Sequence, residues 1–222
     1  VRKYCAGASE GIEMLAKFVA GLIVGFARFI TAVQGKWEGS EPVGDQRVYF
    51  ANHASHGDFI LIWTVLPPRL RQRTRPVAAA DYWLKGQLRR FIGRDVFNAV
   101  LIDRDRESRR DDPITLMAAA LDGGASLIVF PEGTRNTGET PLLPFKSGLY
   151  HLARARPDVD LVPVWIENLN RVMPKGEIVP IPLVCTVTFG APIRIAETQS
   201  KEEFIVRAEA ALLALSPKVA AP

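Results

Sequence analysis

The chain has 222 residues, 48% hydrophobic and 23% charged, with a net charge of +4. That suffices for one domain with its own core, and it excludes fibrous, low-complexity and disordered classes. The positive balance suits an anionic partner: a membrane surface, a phosphate-bearing substrate or nucleic acid.

The chain opens on Val1, so a targeting peptide cannot be judged from this end. Residues 9–34 read as a helix, with Ile12, Leu15, Val19, Leu22, Phe26, Ile30 and Val33 at helical spacing. The uncharged run between Lys17 and Arg28 is ten residues, short of the roughly 20 that span a bilayer. The helix is therefore expected to pack on the core or to lie in a membrane interface without crossing it. The stretch "KWEGSEPVGD", 36–45, reads as a turn-rich connection.

Beyond it the pattern alternates. Strand-like runs at 47–51, 76–80, 98–102, 126–130, 161–166 and 183–189 interleave with helix-like runs at 58–66, 82–92, 113–121, 146–155 and 201–215. This predicts an α/β fold: a single domain with a mixed, largely parallel central sheet flanked by helices, plus the N-terminal apolar helix. Residues 1–46 are expected to form that helix and a linker, and 47–222 the main domain. In such sheets, sites form where strand ends turn into loops.

The stretch "ANHASHGDF", 51–59, lies at such an end. His53 and Asp58 are five residues apart. On a helix that is roughly 140° off the same face, and on a strand it is the opposite face. They meet only where a strand end turns into a helix, and the flanks "RVYFA" and "FILIWTVL" fit that. A capped helix start, with Ser55 or Asp58 as cap, and a general base with its orienting carboxylate are both open on this stretch alone.

Next, "PPRLRQRTRP" places Arg69, Arg71, Arg73 and Arg75 in an alternating row, which can be a solvated loop or attract anionic headgroups. It lacks the interleaved aromatics of a nucleic-acid platform, so no nucleic-acid partner is expected. Further on, "SLIVFPEGTRN" is an apolar strand breaking into Pro131, Glu132, Gly133, Thr134 and Arg135. Pro131 ends the ladder, Gly133 permits close approach of a ligand, and Arg135 offers a planar fork for phosphate. Lys146 follows in "PFKSG". Cys5 and Cys185 have no disulfide or metal spacing, and Cys185 sits in an apolar run as a core residue would. A reducing compartment follows.

Together, Asn52-His53, Asp58, Phe130-Pro131-Glu132-Gly133-Thr134-Arg135, "NAVLIDR" ending at Arg104, and "LVPVWI" with Val162, Pro163 and Val164 resemble the glycerolipid acyltransferase family. The resemblance is narrower to the 1-acylglycerol-3-phosphate acyltransferases, and runs in order over residues 47–195. Gly57, Asn136 and "AADYWLKG" depart from the family pattern.

The resemblance implies acyl transfer from a thioester to the hydroxyl of a lysolipid, with His53 as base and Asp58 orienting it. It implies acceptor binding by Arg104 and Arg135. Glu132, Gly133, Thr134 and Lys146 are the further binding candidates, Glu132 by ordering the arginines or a glycerol hydroxyl. No metal or cofactor is expected. An acyl-CoA or acyl carrier protein thioester is the co-substrate, a lysolipid the acceptor and a membrane lipid surface the partner. The location implied is the cytoplasmic face of a membrane, peripheral or monotopic. Competing readings are another lysolipid acceptor, a hydrolase using Ser55, and a non-catalytic lipid-binding protein.

Overall fold

A computed structural model describes residues 2–103, 111–167 and 184–217. Helix α1 (Arg2–Thr31) leads to strands β1 (Gln34–Trp37) and β2 (Arg47–Ala51) and helices α2 (Asp58–Val65) and α3 (Pro68–Arg73). Strand β3 (Thr74–Ala79) is followed by the short helices α4 (Ala80–Trp83) and α5 (Gln87–Phe91), which run into a π-helical turn, Ile92–Val96. Then come β4 (Val100–Ile102), α6 (Pro113–Asp122), β5 (Ser126–Val129), α7 (Gly148–Ala155), β6 (Asp160–Glu167), β7 (Thr186–Phe189) and a last helix, Lys201–Leu213.

The strands form one seven-stranded sheet in the order β1-β7-β6-β2-β5-β3-β4. The β6–β7 pair is antiparallel and the other pairings are parallel, the mixed sheet expected from the alternating pattern. Strand β2 is buried at every position. A central strand covered on both faces reads as a continuous apolar run, and "RVYFA" is nearly that.

Side-chain alternation divides the core into two layers. Tyr49, Ala51, Ile128, Val162 and Val164 face α1, α2 and the π-helical turn. Val48, Phe50, Leu127, Val129 and Leu161 face α6, α7 and the last helix. The period-two geometry of a strand produces this split.

Two elements differ from the sequence expectation. The stretch taken as a connection contributes to β1, an edge strand whose residues are mostly exposed, which is why no apolar pattern marks it. It is held by pairing with β7 and by Trp37 stacked on Phe189 at 4.0 Å. The arginine row spans helix α3, started by Pro68 and burying only Leu70, and enters β3 at Arg75. Arg71 donates to the carbonyls of Trp63, Thr64 and Leu66 at the end of α2. Arg73 donates to Gly44 and Gly124, and Arg75 to Asn98. Three of the four guanidiniums are thus tethers within the fold, not a free anion-binding row.

Helix α1 also packs differently from its apolar stripe. Ala16, Val24, Ala27 and Thr31 are buried against the domain, with Val19, Ala20, Ile23 and Ile30 partly covered. Ile12, Leu15, Leu22 and Phe26, which the spacing picked out, are exposed. Small residues let the helix approach closely, and the large ones are left on the outer side. Trp63 and Trp83 belong to an aromatic cluster with Phe59 and Phe97. Cys185 is fully buried, and burial pushes its thiol up to about 11.

Candidate active site

Strands β2 and β5 are parallel neighbours in the register Val48–Leu127, Tyr49–Ile128 and Phe50–Val129. Continued past the strand ends, that offset sets His53 opposite Glu132. The two motifs of the sequence therefore leave the sheet side by side. The His53 N–H donates to Glu132 Oε1 at 2.7 Å, a side chain standing where the ladder would have offered a carbonyl. On the other flank Asn52 does the same toward β6. Its amide donates to the Ile166 carbonyl at 3.0 Å and accepts the Ile166 N–H at 2.8 Å.

After His53 the chain turns into α2. Asp58, the first residue of that helix, folds its carboxylate back over the turn. Its Oδ2 lies 2.8 Å from His53 Nδ1 and accepts the N–H groups of Ala54 at 2.7 Å and Ser55 at 2.8 Å. The helix start itself carries no side-chain cap, so neither Ser55 nor Asp58 takes the capping role. Ser55 Oγ accepts the Gly57 N–H instead, a turn contact that lends nothing to a serine nucleophile. The carboxylate only accepts, so Nδ1 carries the imidazole proton and Nε2 is left as the basic nitrogen. Asp58 is 1% exposed, while the His53 side chain keeps 19%. The imidazole reaches solvent and the carboxylate does not. The ring also stacks on Phe130, centroids 4.3 Å apart.

Glu132 lies beneath the loop rather than on it. It is 2% exposed, and its second oxygen accepts the Leu143 N–H at 2.9 Å. Burial raises its carboxyl above the ordinary range, partly opposed by the Leu143 and His53 N–H groups. Both oxygens being engaged by backbone, Glu132 ties the base loop to the following segment. Sequence reasoning gave it the arginines or a glycerol hydroxyl as partners, since a side chain standing in for a ladder carbonyl has no local signature.

Gly133, Thr134, Arg135 and Lys146 form the exposed rim. Gly133 has φ +68°, and a Cβ there would meet Lys146 Cδ and Nζ at 2.8 Å. Only glycine combines that backbone with so close a pass. The Asn136 N–H returns to the His53 carbonyl at 2.6 Å. Loop Phe130–Asn136, which carries Arg135, is thus tied to the His53 turn, and the Lys146 N–H joins it at the Pro131 carbonyl at 2.9 Å. Arg104 lies outside the described residues. His56 stacks on the Tyr82 ring, centroids 5.8 Å apart. Among the described residues no group of three or more His, Cys, Asp or Glu is placed to hold a metal ion.

A parallel-rich α/β sheet carrying a buried aspartate and a part-buried histidine in contact at its strand ends, beside a loop with an exposed arginine, is an arrangement suited to proton abstraction near an anion. The family model for Acyltransferase matches residues 34–167, and the chain belongs to that family. It is 32% identical over 170 residues to a 1-acyl-sn-glycerol-3-phosphate acyltransferase of Cocos nucifera, covering 74% of this chain and 51% of the relative. With the enzyme of that name from Escherichia coli it shares 30% over 138 residues, covering 56% and 51%. The chain spans about half the length of these curated relatives. The crystal structure of the 1-acyl-sn-glycerophosphate (LPA) acyltransferase from Thermotoga maritima has the same fold, with a TM-score of 0.68 at 23% identity, over 95% of this chain and 83% of that one.

Proposed function

We propose that this chain transfers a fatty acyl group from an acyl thioester to the free hydroxyl of 1-acylglycerol-3-phosphate, giving phosphatidate. The observation that carries this reading is the 2.8 Å contact between His53 Nδ1 and Asp58 Oδ2, which leaves Nε2 as the basic nitrogen, on a loop joined by the Asn136 N–H to the segment that carries Arg135. The names of the relatives support the acceptor.

The acceptor hydroxyl is a poor nucleophile until its proton is removed. His53 Nε2 takes that proton as the oxygen attacks the thioester carbonyl, and Asp58 stabilises the imidazolium. The tetrahedral intermediate collapses with loss of thiolate, which the imidazolium protonates. The substrate hydroxyl stands where a serine protease has its serine, so no acyl-enzyme forms. A base so positioned contributes about 10²–10⁴ in rate. Arg135 and Lys146, joined by Arg104, hold the acceptor phosphate, and Gly133 lets them converge. Coenzyme A and acyl carrier protein are both donor candidates.

The membrane is the place of reaction in this reading. Glu10–Thr31 is long and apolar enough to cross a bilayer by length and composition, with a mean hydropathy of 1.7. Yet α1 lies along the domain from Ala16 to Thr31. With Ala16, Val24, Ala27 and Thr31 buried against the domain, this reading keeps the helix on the bilayer surface rather than across it. Its outer side exposes Met14, Phe18, Leu22, Phe26 and Phe29 at 57–86%. That side is placed in the headgroup–acyl boundary of the cytoplasmic leaflet, in monotopic fashion.

The test is purified protein with acyl-CoA or acyl carrier protein thioester and a panel of lysolipids. The expected product is phosphatidate from 1-acylglycerol-3-phosphate, abolished in His53→Ala. Preference for another lysolipid would change the acceptor. Release of free fatty acid alone, or no turnover, would overturn the reading.

A further inference from the structure

Resting on the membrane reading above, we propose that segment Ala80–Val96 is a second membrane-contacting surface, one that recognises anionic lipid headgroups. The proposal begins with cations that have nothing else to do. The arginines at 71, 73 and 75 donate to backbone carbonyls of the fold. Lys85, Arg89, Arg90 and Arg94 are instead exposed, and no carboxylate among the described residues pairs with any of them. Arg89 lies over the Tyr82 ring at 4.7 Å, and Arg90 makes only a long 3.5 Å contact to the Leu84 carbonyl. Four cations against two carboxylates, Asp81 and Asp95, leave the segment at +2.

Apolar exposure accompanies the charge. Leu88 is 71% exposed and Tyr82 42%. A leucine held out between basic residues suits a surface that is anionic at the headgroups and apolar just beneath. The location also fits. Phe91, Ile92, Val96 and Phe97 pack in the same core layer as Ala16 and Val24 of α1. The segment therefore adjoins the helix whose outer side is apolar. Toward the site, Tyr82 stacks on His56 at 5.8 Å, three residues from His53. One surface thus runs from α1 through the basic segment to the base loop. An anionic membrane bound there brings the His53 opening to headgroup depth, where an amphiphilic acceptor keeps its phosphate and hydroxyl.

The experiment uses the full chain and vesicles of phosphatidylcholine, with and without a minority of phosphatidylglycerol. Wild-type protein is expected to prefer the anionic vesicles, and salt should erase the preference. A Lys85→Gln/Arg90→Gln/Arg94→Gln variant should lose that preference, a fall of about a hundredfold in partitioning from a contribution of about fivefold per charge. Its binding to neutral vesicles through α1 should persist. Leu88→Asp, a single exposed change that guards against misfolding of the triple variant, should weaken binding to both vesicle types. Turnover of a water-soluble short-chain acceptor with acyl-CoA should not change in either. A triple variant that kept the wild-type preference would overturn the proposal. So would a defect seen only with acyl carrier protein as donor in the absence of vesicles, which would reassign the surface to an acidic carrier. If wild-type protein transferred to no lysolipid, the proposed function would fail while the vesicle result remained readable by itself.

Discussion

Replacing Glu132 by glutamine separates a positioning role from an acceptor-binding one. The carboxylate is buried and gives one oxygen to the His53 N–H and the other to the Leu143 N–H. A glutamine has one oxygen and one NH₂, so one of those donors would face another donor. A hydrogen bond to a charged group contributes about 1.5–3 kcal/mol, and an unsatisfied buried donor costs about 1–3 kcal/mol. Against this stands the cost of burying the carboxylate, which the raised pKa reports and which glutamine removes. A net stability loss of about 1–3 kcal/mol follows. The larger effect is kinetic. The base would lose its main-chain tether, and a displacement of about 1 Å can cost about 10²-fold. With acceptor and donor varied in turn, Glu132→Gln should lower kcat by about 10–100-fold and leave the acceptor KM within about twofold. A raised acceptor KM with kcat intact would refute the reasoning and return Glu132 to the acceptor. The pH dependence has a definite sign. A folded-state pKa raised above 4.5 means the group's stabilising contribution is complete below that value and is lost as pH rises through the raised one. The stability advantage of wild type over the variant should therefore be largest in acid and shrink toward neutral pH, as denaturant melts in the two buffers would show.

His53→Ala should reduce turnover by at least about 10²–10⁴ with the melting temperature retained, and Asp58→Asn should follow it closely; near wild-type turnover in either, as a folded protein, would remove the base assignment. Arg135→Ala should lower kcat/KM for the phosphorylated acceptor by about 10–100-fold, from a lost charge-assisted bond of about 1.5–3 kcal/mol, while donor KM stays put in steady-state kinetics. Changing Phe18, Phe26 and Phe29 together to serine should release the protein from vesicles in a flotation assay without lowering the melting temperature, because all three are exposed. Arg71→Ala should do the reverse: a loss of about 2–4 kcal/mol in denaturant melts, from three carbonyl bonds at the end of α2, with vesicle binding unchanged.

What was legible in the sequence follows from how each element earns its stability. Strands β2, β5 and β6 are central, buried on both faces, and written as unbroken apolar runs. β1 is held by edge hydrogen bonds and one Trp37–Phe189 stack, so its four residues carry no pattern. The His53–Asp58 pair was legible because its spacing fits neither a helix nor a strand, which leaves a turn between them as the geometry in which they meet. Its supports were not. Glu132 and Asn52 satisfy backbone groups of residues 79 and 114 positions away, and nothing local marks such partners. The side of α1 that packs on the domain was not marked for a related reason. Apolar spacing locates an apolar side, but here nearly the whole circumference is apolar. The buried part is chosen by small size, in Ala16 and Ala27, not by hydrophobicity.

The restraints on His53 come from four residues on two chain segments, its own turn into α2 and the loop Phe130–Asn136. Asp58 fixes the ring nitrogen, Phe130 the ring plane, Glu132 the main-chain N–H and the Asn136 N–H the main-chain carbonyl. A base held by such contacts does not draw on acceptor binding energy for its own orientation, so that energy remains for placing the hydroxyl. The exposed groups on the rim, Arg135 and Lys146, carry no comparable restraint: Arg135 is free of ion pairs among the described residues, and Lys146 is located mainly by the absence of a side chain at Gly133. In the proposed reading the site therefore has a proton-transfer side held by named contacts and an exposed side, Arg135 and Lys146, that meets the acceptor phosphate. Substitutions in the first should act through kcat and in the second through acceptor KM.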